Sequence, residues 1–235
     1  MRRELLDQLS WNSIRHLTSP VRALVVRFPG LGAMAMRNAP EITDLEWAGH
    51  GIAVIEAFQD PWGWMNAPTR SLYDDVVEGV RSVHGLDPAL PLIAVGGSMG
   101  GHAALAWTMG SRHRVTACQA NCPVCDLPFH ATERPDLPRT MMHAYGREDG
   151  LTQRLEANSP LHQVARLPDV PYQILHGGQD KAVRKDLHSD KLVAAMRARG
   201  LRVEYIEEPE MGHCWPLPSF ALHRRLVDFV IRQAG

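Results

Sequence analysis

PLIAVGGSMGGHAALAWTM runs from Pro91 to Met109. The apolar run Leu92-Ile93-Ala94-Val95 reads as a buried strand and Ala103 to Trp107 as a helix, with only Gly96-Gly97-Ser98-Met99-Gly100-Gly101 between them. A serine therefore sits at a strand-to-helix corner. Such a corner strains the backbone of its central residue and brings strand and helix so close that the flanking positions must lack side chains, which Gly96 and Gly100 do. The turn lifts the Ser98 hydroxyl clear of the sheet, and the amide of Met99, at the positive end of the new helix, points to where an oxyanion would form. Gly96 to Gly100 thus fits the nucleophile-elbow pattern G-x-S-x-G. The segment lacks the Lys-Ser/Thr end of a phosphate-binding loop, which argues against nucleotide binding.

Elements of the same kind lie on both sides. Strands are predicted over Arg22 to Phe28, Ile52 to Phe58, Arg114 to Cys118, Val170 to His176 and Leu201 to Ile206. Helices are predicted over Leu72 to Val83, where Leu72, Val76, Val77, Val80 and Val83 share one face, over Leu161 to Leu167, Lys185 to Arg199 and Ser219 to Gln233. This alternation predicts an α/β fold with a mostly parallel sheet covered by helices on both faces. From Cys122 to Pro160 prolines recur at 123, 128, 135, 138 and 160 and periodicity is weak, so this insert is expected to lie over a site as a small cap or long loop. One domain spanning 1–235 is the simplest account.

Composition narrows the function classes. The 235 residues are 45% hydrophobic and 22% charged, with a formal net charge of -1, which describes a globular chain with no phosphate-tracking surface and no nucleic-acid partner. Glu4 and Asp7 interrupt the apolar stretch a secretory signal would need, and no apolar run approaches the roughly 20 residues required to cross a bilayer. The expectation is a cytoplasmic protein with no membrane partner. A homodimer stays open. Of the four cysteines, Cys122 and Cys125 form a C-x-x-C near His130. No second C-x-x-C accompanies it, so free buried thiols are preferred to a zinc site.

In parallel sheets ligands gather at the carboxyl ends of the strands. Four loops begin there: Pro29 to Met34, the Ser98 corner, His176 to Asp180 and Glu210 to Pro216. A serine hydroxyl needs a base to take its proton, and His213 is the best placed of the twelve histidines, in a Gly-containing loop between the last strand and the last helix. Asp180 is placed to orient that imidazole, with Asp186 or Asp149 as substitutes. The second oxyanion amide is expected from Leu31, or else Gly32. Trp62, Trp64 and Met65 after one strand end, Trp215 after His213, and Phe129, Met141 and Met142 in the insert are candidates for an apolar substrate pocket.

The order Ser98, Asp180, His213 and the motifs around them resemble the α/β-hydrolase superfamily, and within it the prolyl-oligopeptidase-like (peptidase S9-like) hydrolases and related esterases. Gly96 to Gly101 looks like that family's G-G-S-x-G-G corner. Ser159-Pro160-Leu161 followed by Val170 to Asp180 is similar to its acid segment, and Gly212-His213 to its histidine loop. The likeness extends from Arg22 to the C-terminus. Two features depart from it: the usual His-Gly of the oxyanion loop is Pro29-Gly30, and only residues 1–21 precede the first predicted strand where family peptidases often carry a propeller. The resemblance therefore implies a reaction class more than a substrate. It implies a cofactor-free serine hydrolase working through an acyl-enzyme, expected to act on small carboxylic esters. A short-peptide or acyl-amino-acid hydrolase is the close variant. A non-catalytic binding protein on the same fold and a C-x-x-C thiol or metal protein are the readings from other classes.

Overall fold

The computed structural model describes residues 2–147 and 149–235. In chain order the elements are α1 (Arg3–Leu9), β1 (Ser10–Asn12), β2 (Ala23–Phe28), α2 (Ile42–Ala48), β3 (Ile52–Ala57), α3 (Ala67–His84), β4 (Leu92–Gly97), α4 (Met99–Gly110), β5 (Ala117–Asn121), α5 (Leu127–Glu133), α6 (Leu137–Tyr145), α7 (Leu151–Asn158), β6 (Tyr172–Gly177), α8 (Ser189–Ala198), β7 (Val203–Glu208) and α9 (Phe220–Gln233). The sheet order is β1-β3-β2-β4-β5-β6-β7, parallel throughout except for β1, which runs antiparallel to β3.

Alternation along the strands decides which helix covers which face. Leu24, Val26 and Phe28 of β2 join Ala53, Ile55, Leu92 and Ala94 in a core shared with α1, α3, α4 and α8. The intervening residues Ala23, Val25, Ile52, Val54 and Ile93 pack instead on Trp47 of α2 and Val227, Phe229 and Val230 of α9. Strands buried on both sides read as continuous apolar runs, as those of a doubly covered parallel sheet do.

Several expected boundaries move. β5 lies three residues later than predicted and carries Gln119, whose amide donates to the Gln173 side chain of β6 at 2.7 Å, so a buried polar pair replaces the apolar run expected of a strand. The 161–167 segment forms only a short 3-10 turn at Val164–Arg166. Among the described residues, 122–160 hold three helices, because Pro128 and Pro138 stand in the first turns of α5 and α6, where a missing N–H costs nothing. Those helices bury Leu127, Leu137, Met141 and Leu155 against Trp64, Met99 and Val183, at the end of the sheet where β4 turns into α4.

Candidate active site

At the corner after β4, Ser98 takes φ 58° and ψ -124°, a backbone conformation that side-chain-bearing residues rarely hold. The glycines around it show what the turn demands. A Cβ on Gly96 would lie 2.2 Å from the Gly100 carbonyl oxygen, and one on Gly100 would lie 2.1 Å from that of Phe28. Strand β2 and helix α4 thus meet backbone to backbone. The strained residue is held by its own main chain: Ser98 N–H donates to the Asn121 carbonyl at 2.9 Å, and its carbonyl accepts from His102 N–H at 3.0 Å.

A second close approach delivers the other groups. At the end of β6 a Cβ on Gly177 would lie 2.2 Å from the Met211 carbonyl oxygen, and one on Gly178 would lie 2.8 Å from that of Pro209. The loop after β7 therefore lies directly on the end of β6. This sets His213 beside Asp180: His213 Nδ1–H donates to Asp180 Oδ2 at 2.7 Å, and Ser98 Oγ–H donates to His213 Nε2 at 2.8 Å. The Asp180 side chain is fully buried. Its other oxygen accepts the amides of Ala182 and Val183 at 2.9 and 3.0 Å, which fixes the carboxylate.

Burial alone would lower the His213 pKa, but the hydrogen bonds with Asp180 and Cys122 and the charge of Asp180 together outweigh it, and the pKa rises from 6.5 to about 9. The Asp180 carboxyl shows the reverse balance. Burial would raise it, while hydrogen bonds from His176, His213 and the Val183 amide hold it well below the ordinary carboxylate range. This chain of hydroxyl, imidazole and carboxylate can move a proton off Ser98 and hold the resulting imidazolium.

Two main-chain N–H groups are the candidates for receiving an oxyanion. Met99 opens α4, where the first amides have no intrahelical partner. In the Pro29–Met34 loop the Gly32 amide donates to the Pro61 carbonyl at 3.0 Å, whereas the Leu31 amide has no partner among the described residues. Of the two amides predicted from sequence, Leu31 is the one left open.

Ser98, His213 and Leu31 line a cleft of about 860 Å³ together with Phe28, Arg134 and Trp215. Trp215 is exposed at the wall of this cleft. Trp62 is exposed and lines a separate recess with Leu31, Asp136, Arg139 and His143. Trp64 and Met65 are corrections: each is only 1% exposed and lines neither cavity. Trp64 Nε1–H donates to Thr140 at 3.0 Å and the Trp64 carbonyl accepts from Tyr145, so the residue bolts α6 to the core instead of facing a substrate. Met142 is exposed on α6 and lines neither cavity.

Other residues near the site were not read from the sequence as part of it. His176 Nε2 lies 3.2 Å from Asp180 Oδ2, and its Nδ1 pairs with Ser189 at 2.6 Å, making it a buttress for the carboxylate. Its place four residues before Asp180 was the available signal. Arg134 reaches the cleft from just beyond α5, and nothing in its neighbourhood of the sequence points there. The C-x-x-C motif divides: Cys125 Sγ–H donates to the Pro123 carbonyl at 3.4 Å, whereas Cys122 stands next to His213 and Cys214.

Residues 64–235 match the model of the prolyl oligopeptidase family. The chain belongs to that family. It has the α/β-hydrolase fold, and solved structures of peptidases superpose on it. A Mycobacterium tuberculosis puromycin-hydrolyzing peptidase aligns with a TM-score of 0.70 at 19% identity, over 92% of this chain and 33% of that one. Pyrococcus horikoshii acylaminoacyl peptidase gives 0.70 at 13%, over 96% and 37%. Porphyromonas gingivalis dipeptidyl peptidase 4 gives 0.72 at 16%, over 95% and 33%. This prolyl oligopeptidase family member spans about a third of the length of those chains. A sequence search of curated proteins finds no match. Among the described residues no helix is long and apolar enough to cross a membrane.

Proposed function

We propose that the protein hydrolyses short peptides or N-acyl amino acids through an acyl-enzyme on Ser98. The observation that carries this reading is the hydrogen-bonded run from Ser98 Oγ through His213 to Asp180 at the wall of an open cleft. Ser98 attacks the scissile carbonyl while His213 Nε2 takes its proton, and the amides of Met99 and Leu31 receive the developing oxyanion. His213 then gives the proton to the leaving amine. Water entering the cleft, deprotonated by the same nitrogen, releases the acyl group and restores the hydroxyl. In this account residues 1–235 work as one domain, with 122–160 as an insert over the site and Trp215 contacting the substrate.

Family membership favours an amide over the small carboxylic ester expected from the sequence, and the peptidases named above share the fold. Matched ester and anilide substrates with one acyl group separate the two readings. Turnover of the anilide by the wild type, lost in Ser98→Ala together with fluorophosphonate labelling, is the expected result. Turnover of the ester alone would return the protein to the small-ester reading.

A further inference from the structure

Two cysteines that take no part in this chemistry stand against the histidine that does. Cys122 directly follows β5 and Cys214 directly follows His213, and both hold positive φ angles, 44° and 60°, that non-glycine residues seldom adopt. These conformations turn the two thiols toward each other and toward the imidazole. The Cys214 amide donates to Cys122 Sγ at 3.4 Å, and Cys214 Sγ lies 3.8 Å from His213 Nε2. One ligand atom from each of Cys122, Cys214 and His213 falls within 4.8 Å of the other two.

That spacing suits a soft divalent cation. With metal–sulfur and metal–nitrogen bonds of about 2.3 and 2.0–2.1 Å, an ion bridging atoms 3.8 Å apart subtends roughly 120°, close to tetrahedral. The imidazole is already oriented as metal-binding histidines are, because its Nδ1–H is held by the Asp180 carboxylate, which leaves Nε2, the atom that accepts from Ser98, as the ligand. A third feature lies alongside. The amide nitrogen of Asn121 donates to the Cys214 carbonyl, while Asn121 Oδ1 is buried without a partner among the described residues. Cys214, Asn121 and His213 all border the cleft, so an ion can enter from it.

We propose that Cys122, Cys214 and His213 form an inhibitory site for a thiophilic divalent cation such as Zn²⁺. Two S–H bonds give way to two sulfur–metal bonds, the two protons leave to solvent, and His213 Nε2 gives its lone pair to the ion. That lone pair accepts the Ser98 proton, so an occupied site leaves the hydroxyl without a base. Inhibition rests on the role proposed for Ser98 and His213, whereas binding of the ion does not.

The test uses Cd²⁺ as the spectroscopic probe and Zn²⁺ as the inhibitor, on the full chain in chelator-free buffer. Titration with Cd²⁺ is expected to give a thiolate-to-metal charge-transfer band saturating at one equivalent, lost in Cys122→Ala and in Cys214→Ala and kept in Cys125→Ala. Zn²⁺ is expected to abolish hydrolysis reversibly, with chelator restoring it. The half-inhibitory Zn²⁺ concentration, scaled to each variant's own metal-free rate, rises at least about tenfold in Cys122→Ala and in Cys214→Ala. Absence of a stoichiometric band in the wild type overturns the proposal, and that measurement needs no variant to fold. Equal Zn²⁺ sensitivity in wild type and both variants overturns it as well. A wild type that binds Cd²⁺ but neither hydrolyses substrate nor labels with fluorophosphonate keeps the metal site and refutes the peptidase reading.

Discussion

His213 Nε2 lies 2.8 Å from the Ser98 hydroxyl across 115 residues of sequence. The pair meets because two glycine-lined contacts cooperate, one drawing α4 onto β2 and the other drawing the His213 loop onto the end of β6. Ser98→Ala and His213→Ala are each expected to lower kcat by roughly three or more orders of magnitude, and Asp180→Asn somewhat less. Full activity in a folded His213→Ala protein, measured beside its circular dichroism spectrum, would remove the assignment.

The same contact between His213 and Asp180 fixes the pH dependence. The imidazole acts as a base only when neutral, and its pKa is lifted from 6.5 to about 9, so kcat/KM is expected to climb as pH rises above 6.5. Asp180→Asn removes the negative charge that helps to raise this pKa and shifts the acidic limb of the profile to lower pH. Stability moves the opposite way. A group whose pKa is raised on folding stabilises fully below its unfolded value, and His213 loses that contribution as pH rises from 6.5 through about 9. A kcat/KM profile with its acidic limb below pH 6.5 would contradict this account.

Much of this site could be read before any coordinates. The corner at Ser98 is legible because its requirement is local: Gly96 and Gly100, four positions apart, must let two backbones touch. Asp180 and His213 are legible because each follows a strand, and strand ends converge in a parallel sheet. The pocket is less so. Trp62 and Trp64 are neighbours in the same loop, yet one is exposed and the other sealed under α6, since the direction of each side chain depends on helices elsewhere in the chain. The helices in 122–160 were hidden by prolines that break a helix from inside but begin it from its first turn. The small strand β1 and the capped helix α2 have too few residues for a period to show.

The corner glycines differ in what they tolerate. Gly100→Ala drives a Cβ to 2.1 Å from a backbone oxygen that cannot rotate away, so a loss of more than about 3 kcal/mol, or failure to accumulate folded protein, is expected. A Cβ on Gly97 would meet the Cys214 thiol at 3.4 Å and the Asn121 carbonyl oxygen at 3.6 Å, both ordinary van der Waals contacts. The melting temperature of Gly97→Ala is expected to stay near that of the wild type, so comparable melting of the two variants by differential scanning calorimetry would count against backbone contact as the reason for the motif.

Glu133 ties α5 to the start of α8, and acid should loosen the tie. His130 Nδ1–H and His188 Nε2–H both donate to Glu133 Oε2, at 2.5 and 2.9 Å, and the Arg184 amide donates to Oε1 at 3.1 Å. Burial by itself would raise the carboxyl, but these donors prevail and bring its pKa from 4.5 down to about 2. A group depressed on folding stabilises above its unfolded value, so this contribution is complete above pH 4.5 and drains away as pH falls toward 2. Asp180 loses its own contribution in acid, which makes the wild-type curve alone uninformative. The informative quantity is the difference in melting temperature between wild type and Glu133→Gln, a substitution that keeps the shape and removes the charge. That difference should be largest near neutrality and shrink between pH 4.5 and 2, whereas a constant gap across the interval would show that the carboxylate's charge does not hold α5 in place.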